Sequence, residues 1–113
     1  MTPSAFDAAC RALPGVTMVV QWGDHQVYKV GGKVFSMVAP DGGCLFKASD
    51  IAFEVLIESG RARPAPYMAR AKWVAFDDLA GLDGAEVKDW LRTAHALIAA
   101  KLTRKVRAEL GLA

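Results

Sequence analysis

The sequence predicts an α+β domain, a compact two-layer α/β sandwich in which helices pack on one antiparallel sheet. Apolar residues recur at helical spacing near both ends of the chain. Between them lie four strand-like segments, joined by connections too short for parallel crossovers. The chain has 113 residues, of which 53% are hydrophobic and 23% charged, a composition typical of one soluble folded domain. We therefore interpret residues 1–113 as a single domain.

The first predicted helix begins near the N-terminus. Thr2 is a suitable N-cap, and Pro3 suits the first helical position. Pro14-Gly15 is predicted to end the helix. Its apolar face consists of Phe6, Ala9, Cys10 and Leu13. This face implies that the helix lies on the sheet.

Four strands are predicted next, at Val16–Trp22, Val27–Val30, Lys33–Ala39 and Cys44–Ala48. Gly31-Gly32 is a suitable two-residue hairpin loop because glycine tolerates a positive φ. Pro40-Asp41-Gly42-Gly43 is a second strong turn. One face of such a sheet can be open to solvent. The polar strand residues Lys29, Ser36 and Lys47 are the candidates for that face.

A second helix is predicted to begin after Ser49, which is a suitable N-cap, and to end at Gly60. We expect its buried stripe to consist of Ile51, Ala52, Val55 and Leu56. We expect a solvated acidic stripe at Asp50, Glu54 and Glu58.

The remaining chain predicts two strands and two helices. Tyr67–Met68 is interpreted as a short edge strand, and Lys72–Phe76 as a strand of the sheet. Asp83 and Glu86 have the spacing of a capping box at the start of a long amphipathic helix. Thr103 is predicted to cap a final short helix.

The reactive side chains do not form a recognisable catalytic or metal site. His25 and His95 are interpreted as structural, since a metal site needs three or four ligands in a closed geometry. Gly31-Gly32 lies between strands and does not open a helix, so it is not a phosphate-binding P-loop. Cys10 and Cys44 are interpreted as reduced, buried thiols. We therefore expect neither an enzyme nor a metal or cofactor.

The N-terminal residues carry no sign of export. Met1–Ser4 lacks the charged and apolar regions of a signal peptide. The longest apolar runs are far shorter than the ~20 residues that span a bilayer. A cytoplasmic location is expected.

Charge is unevenly distributed along the chain, although the net charge is only +2. Two basic clusters flank an acidic segment at residues 77–89. The basic clusters consist of Arg61, Arg63, Arg70 and Lys72, and of Lys101, Arg104, Lys105 and Arg107. Trp73 follows the first cluster directly, and an aromatic ring beside cations can stack on a nucleobase. Such clusters favour contact with phosphates, although a charge run is more often simply solvated.

Several motifs in succession resemble a known family. They are Leu13-Pro14-Gly15-Val16, Trp22-Gly23-Asp24, Tyr28-Lys29-Val30-Gly31-Gly32-Lys33-Val34-Phe35, Tyr67-Met68 followed by Trp73, and Ala100-Lys101-Leu102-Thr103-Arg104-Lys105-Val106-Arg107. In this order they are similar to the MmcQ/YjbR family of small bacterial proteins, over nearly the whole chain.

The resemblance implies a frataxin-like (CyaY-like) fold and a DNA-binding role, described in the family as a double-wing motif. The chain departs from the family pattern between Met68 and Trp73, where Asn-Lys-Arg-His is common and Ala69-Arg70-Ala71-Lys72 stands here. The change removes an amide and an imidazole but keeps positive charge. The family usually has Pro where Thr103 stands, and both residues can begin a helix.

We therefore expect a monomeric, non-enzymatic DNA-binding protein with weak, sequence-tolerant phosphate contacts. The predicted contact residues are the eight basic residues of the two clusters together with Trp73, and Lys29, Lys33 and Lys47 could contribute. The alternative is a module that binds a protein or a small ligand through an exposed sheet face, or through the groove beside Tyr67–Trp73. Iron binding through an acidic ridge, which a frataxin-like fold suggests, is disfavoured because that region offers only Asp7 and Asp24.

Overall fold

A computed structural model describes residues 1–66 and 68–112 of the chain. Its helices are α1 (Pro3–Arg11), α2 (Asp50–Glu58), α3 (Gly84–Ala99) and α4 (Arg104–Glu109). Its strands are β1 (Val16–Gln21), β2 (His25–Val30), β3 (Lys33–Val38), β4 (Cys44–Lys47), β5 (Arg63–Pro64) and β6 (Trp73–Phe76). Short 3₁₀ turns lie at Ala69–Ala71 and Leu79–Gly81. The predicted α+β class is confirmed.

The six strands form one antiparallel sheet in the order β1-β2-β3-β4-β6-β5. The first four strands form a meander, because each connection between them is a short turn. Gly31 and Gly32 both have a positive φ in the β2–β3 turn, as a two-residue hairpin loop requires. A bulge between Tyr28 and Lys29 shifts the register of β2 against β3.

The main core lies between the sheet and the helices. Phe6 of α1 and Leu91 of α3 pack there against Tyr28 and Phe46 of the sheet. Phe46, Phe76 and Trp90 form a stack of rings, with centroids 5.3–5.9 Å apart. Since each strand turns alternate side chains to opposite faces, only half of the sheet residues reach this core.

The other face of the sheet is partly covered. Val27, Met37 and Trp73 form a second, smaller apolar cluster there, and Ala65 and Met68 pack on it from the segment after β5. This face is therefore less open than the sequence predicts. Ser36, predicted to lie on the open face, is fully buried on the helix side, where its Oγ lies 3.3 Å from Cys10 Sγ.

The structure corrects the predicted edge strand. The outermost strand at this side is β5, which pairs with β6 at Arg63↔Ala75 and Pro64↔Val74. Met68 instead precedes the 3₁₀ turn at Ala69–Ala71. Tyr67 lies outside the described residues.

The face that α2 buries was predicted only in part: Ala52 and Leu56 pack in the core, but Ile51 and Val55 do not. Ile51 is 79% exposed and Val55 is 58% exposed, whereas Leu56 is buried. Phe53 and Ile57 pack on the core in their place. Apolar residues occupy more than half of the circumference of α2, so the helical pattern alone does not determine which face is buried. The contacts of α2 with β5 and β6 determine it.

Three of the four predicted N-caps make the expected hydrogen bond. Thr2, Ser49 and Thr103 each accept from the backbone N–H three residues later, at 3.0–3.2 Å. The capping box at Asp83 and Glu86 does not form: Asp83 makes no side-chain cap bond, and Glu86 pairs with an arginine.

Replacing Ser49 with alanine is expected to lower the free energy of unfolding by about 1 kcal/mol, because the Ala52 N–H loses its acceptor. Asp83→Ala is the matched control, since its side chain makes no cap bond, and we expect a loss of only about 0.3 kcal/mol. Urea unfolding followed by circular dichroism measures both. Equal losses in the two variants would contradict this assignment of the caps.

Candidate nucleic-acid interface

The strand register places three lysines at one end of the sheet. Lys33 begins β3 opposite Val30, the last residue of β2. Lys47 ends β4 opposite Trp73, the first residue of β6, and Lys72 directly precedes that strand. Because the strands alternate in direction, these three positions share the end at which β2 and β4 finish.

The end of α3 adds positive charge at the same place. Leu102 lies so close to the β2–β3 turn that a Cβ at Gly31 would stand 2.7 Å from its side chain. Lys101 precedes Leu102 and is exposed. Helix α4 follows, and Leu110, directly after it, packs against Gly15, the residue before β1. The exposed Arg104 and Lys105 and the half-buried Arg107 of α4 therefore extend this end of the domain.

Lys47 lies where the two sequence clusters meet. Partial burial and the positive charges of Lys101 and Lys72 lower the pKa of the Lys47 ammonium, while Asp50 opposes them. Lys47 lines a shallow cavity with Leu97 of α3, which lies four residues before Lys101. Its Nζ donates to the carbonyl of Ala71, beside Lys72. We call Lys33, Lys47, Arg70, Lys72, Lys101, Arg104, Lys105 and Arg107 the basic end.

Lys72 is held in a fixed geometry by its backbone. It has a φ of 63°, in the left-handed region, where it ends the 3₁₀ turn that carries Arg70. Its carbonyl accepts from the Ala48 N–H at 2.9 Å, and its Nζ lies 5.0 Å from the centroid of the Phe53 ring. Arg70 is exposed on the same turn. The first sequence cluster thus contributes these two residues to the basic end.

The other two arginines of the first cluster lie elsewhere. Arg63 donates to Asp77 just past the far end of β6, with a shortest distance of 2.6 Å. Arg61 forms two hydrogen bonds to Glu86 in the first turn of α3, at 2.6 and 3.1 Å, and its guanidinium lies 5.4 Å from the Trp90 ring. The hydrogen bonds from Arg61 lower the pKa of the Glu86 carboxyl. Both arginines therefore have carboxylate partners away from the basic end.

Trp73 is not available for stacking as the sequence suggested. Its side chain is only 4% exposed and belongs to the second apolar cluster, with Met37 and Val27. A base could not reach its ring without opening that cluster, so we leave Trp73 out of the candidate surface.

Acidic residues collect at the opposite end of the sheet. Asp24 lies in the β1–β2 turn and Asp41 in the β3–β4 turn, while Asp77 and Asp78 follow β6. The Leu79 N–H donates to Gly42 at 2.9 Å, which ties these turns together. The N-terminal amine donates to the carbonyls of Leu79 and Leu82 nearby. We call Asp24, Asp41, Asp77, Asp78, Asp83 and Glu86 the acidic end. It lies opposite the basic end along the strands, although Asp50 lies beside Lys47 at the basic end.

The residues considered for other chemistry have structural surroundings. His95 is buried and donates from Nε2 to the Pro14 carbonyl at 2.8 Å, and His25 Nδ1 lies 2.8 Å from the Trp22 carbonyl oxygen. Cys10 and Cys44 are free and buried, as predicted. Within residues 1–66 and 68–112, no group of three or more His, Cys, Asp or Glu side chains could hold a metal ion.

From the sequence, Lys47 was predicted only as a possible additional DNA-contact residue. The predicted meander already indicated where Lys47 lies, because successive strands run in opposite directions. Every second turn therefore lies at the same end of the sheet. That rule groups the acidic turns at residues 23–24 and 40–43, and places residues 31–33 with the end of β4.

This fold and this surface define the class of the protein, which is a small α+β domain with one strongly basic end. Residues 11–97 match the model of the YjbR family. The chain belongs to the YjbR family, as the sequence motifs predicted.

The fold is shared with a solved structure of the same kind. The crystal structure of Deinococcus radiodurans protein DR2400, described with a DUF419 domain, matches with a TM-score of 0.86 and 20% sequence identity. The match covers 99% of this chain and 89% of that chain. At this identity the likeness shows the fold alone. No curated protein matches the sequence.

The described parts of the chain contain no helix with the length and apolar character of a membrane span.

Proposed function

We propose that the domain binds DNA by phosphate contacts at its basic end, with little preference for sequence. The observation that carries this proposal is the convergence of Lys47, Lys72 and Lys101 at one end of the sheet. Lys47 Nζ donates to the Ala71 carbonyl beside Lys72, and Lys47 lines a cavity with Leu97, four residues before Lys101. These contacts bring together two clusters about thirty residues apart in the chain. Each lysine or arginine that approaches a phosphate releases a counterion, so a joined cluster gains affinity from every member.

Among the described residues, no cation of the basic end is neutralised by an ion pair. The ion pairs found among the described residues involve Arg11, Arg61, Arg63 and Arg92. None of these arginines belongs to the basic end. The acidic end repels a polyanion, so the same charge separation would also orient the domain as it approaches DNA.

The expected binding is weak and tolerant of sequence. Base-specific contacts in the major groove commonly use Asn or Gln with Arg on an exposed helix. The sequence contains no Asn, and its two Gln residues lie on the strands β1 and β2. We also propose a cytoplasmic, non-enzymatic role and keep the frataxin-like assignment of the fold as part of this proposal.

The test is a fluorescence-anisotropy titration with a labelled duplex of about 20 base pairs at about 50 and 200 mM salt. We expect binding at low salt that is similar for unrelated sequences and weakens steeply with salt. Lys72→Gln/Lys101→Gln should weaken binding and reduce the slope of log K against log salt by about 2, since each lost phosphate contact removes about 0.9.

Arg61→Gln/Arg63→Gln is the matched control, because it removes the same charge from residues paired at the other end of the domain. Its binding and salt slope should stay close to those of the unmodified chain. No binding at about 50 mM salt, with protein in the tens of micromolar, would exclude this role. Equal losses in the two double variants would instead mean that only net charge matters.

A further inference from the structure

Strand β1 is an edge strand without the usual protection. It pairs with β2 on one side and is the first strand in the sheet order. Its sequence Val16-Thr17-Met18-Val19-Val20-Gln21 contains no charge and no proline. Natural edge strands usually carry lysine, proline or a bulge, or are very short, because an open row of backbone N–H and C=O groups can pair with another chain.

The other edge of the same sheet is protected in these ways. Strand β5 has two residues, one of which is Pro64, a residue with no N–H to donate. The other is Arg63, which is paired with Asp77. The contrast between the two edges makes β1 the candidate for pairing.

The outward side of β1 is free to receive a partner. Within the described residues, every backbone hydrogen bond of β1 is made to β2. Val20 and the adjoining Trp22 are each 60% exposed, which is unusual for large apolar side chains. The side-chain oxygen Oε1 of Gln21 is buried and has no hydrogen-bond partner in this part of the chain.

In place of the monomer expected from the sequence, we propose that β1 pairs antiparallel with β1 of a second copy, which joins two sheets into one of twelve strands. Charge complementarity favours a copy of the same chain as the occupant. Helix α4, with Arg104, Lys105 and Arg107, lies beside the Val16 end of β1, since Leu110 touches Gly15. Asp24 lines a cavity with Val20 at the other end, together with Asp7, which is paired with Arg11. Antiparallel pairing therefore brings the basic end of each copy beside Asp24 of the other.

The alternation of side chains restricts the register. A two-fold axis perpendicular to the sheet keeps each residue on its own face. Odd-numbered residues of one copy must therefore lie opposite odd-numbered residues of the other, and even-numbered opposite even-numbered. With the axis at Val19, Thr17 of each copy meets Gln21 of the other on one face. This register places the exposed Thr17 side chain opposite Gln21, whose Oε1 is buried within its own protomer. Met18 and Val20 meet on the other face.

The test is sedimentation equilibrium of the chain without DNA, at chain concentrations of about 5–500 µM. The range is wide because one short strand pair buries less area than a stable interface does, so the dimer is expected to be weak. We expect the mass to rise with concentration from 12.1 kDa toward twice that value and no further, since β5 does not pair. Val20→Lys should keep the chain monomeric, because it adds an edge lysine of the kind that blocks strand pairing. Val55→Lys is the matched control, because Val55 is equally exposed but lies on α2, and it should leave the dimer unchanged.

A second measurement tests the register. Val19→Cys should form a disulfide-linked dimer under mild oxidation, because directly opposed residues of an antiparallel pair lie within disulfide reach. The native thiols are buried, and burial raises the pKa of Cys10 and Cys44 to about 12, so they should not compete. A chain that stays monomeric throughout, or a dimer that Val55→Lys breaks and Val20→Lys does not, would overturn the proposal. Because no DNA is present, these results are independent of the proposed function.

Discussion

Replacing Phe46 with alanine is expected to lower the free energy of unfolding by about 3–5 kcal/mol. Phe46 is 1% exposed at the centre of the main core. Its ring stacks on Phe76 and Trp90, with centroid distances of 5.9 and 5.7 Å. Truncation removes these contacts and leaves a cavity that the sheet can fill only in part, because β3 and β6 hold β4 on both sides.

Trp22→Ala is the control for this prediction, because it removes a larger ring that is 60% exposed. We expect that variant to lose no more than about 0.5 kcal/mol. Urea unfolding followed by far-ultraviolet circular dichroism measures both variants without relying on tryptophan fluorescence. If Phe46→Ala lost no more stability than Trp22→Ala, the ring stack would not be the centre of the core.

Stability is expected to fall steeply in mild alkali. Burial raises the pKa of the Cys10 thiol from its ordinary value of 9.0 to about 12, although the hydrogen bond with Ser36 opposes this, and burial does the same for Cys44. When the pKa of a thiol is higher in the folded state than in the unfolded state, the neutral thiol stabilises the fold. Its full contribution to the free energy of unfolding is present below the unfolded-state pKa. That stability is lost as the pH rises from about 9 toward 12. Each thiol should remove roughly 1.4 kcal/mol in total between pH 8 and pH 10, and the slope should approach roughly 1.4 kcal/mol per pH unit only above about pH 10.

The free energy of unfolding, measured in urea between pH 8 and pH 10, tests this prediction. Cys44→Ala lowers stability at every pH because it removes packed atoms, but it should halve the alkaline slope. Cys10→Ala/Cys44→Ala should abolish most of that slope. Burial and Asp7 also raise the pKa of Tyr28 above its ordinary 10.0, so comparison below pH 10 isolates the thiols. A slope that is unchanged in the double variant would mean that the thiols are not the titrating groups.

Local chemistry was the most reliable guide to the elements. Ser49 and Thr103 cap the helices that follow them, because a cap depends on a hydrogen bond within three residues. Gly31-Gly32 closes the hairpin for a similar reason, since its positive φ angles are set locally. Asp83 shows the limit of such reasoning: Arg61 takes the Glu86 carboxylate that the capping box needs.

Helix orientation and pairing depended on contacts between distant parts of the chain. Ile51 and Val55 have the spacing of a buried stripe, yet they face solvent because Phe53 and Ile57 fit the core instead. Trp73 follows two basic residues in the sequence, but its strand turns its ring into the second apolar cluster.

The sequence by itself determined the α+β class, the meander, most helix starts, the buried thiols and the family. These depend on periodicity, turn chemistry and motifs, which act over a few residues. The meander already indicates that Lys33 and Lys47 share one end of the sheet, but the tertiary structure alone decided that Lys72 and Lys101 lie with them. Lys47 joins Lys72 and Lys101 because α3 ends above the β2–β3 turn, whereas Arg61 and Arg63 pair with Glu86 and Asp77 at the other end. The physical reason is that the distance between two charges far apart in the chain depends on how the elements pack, and no local pattern encodes that distance.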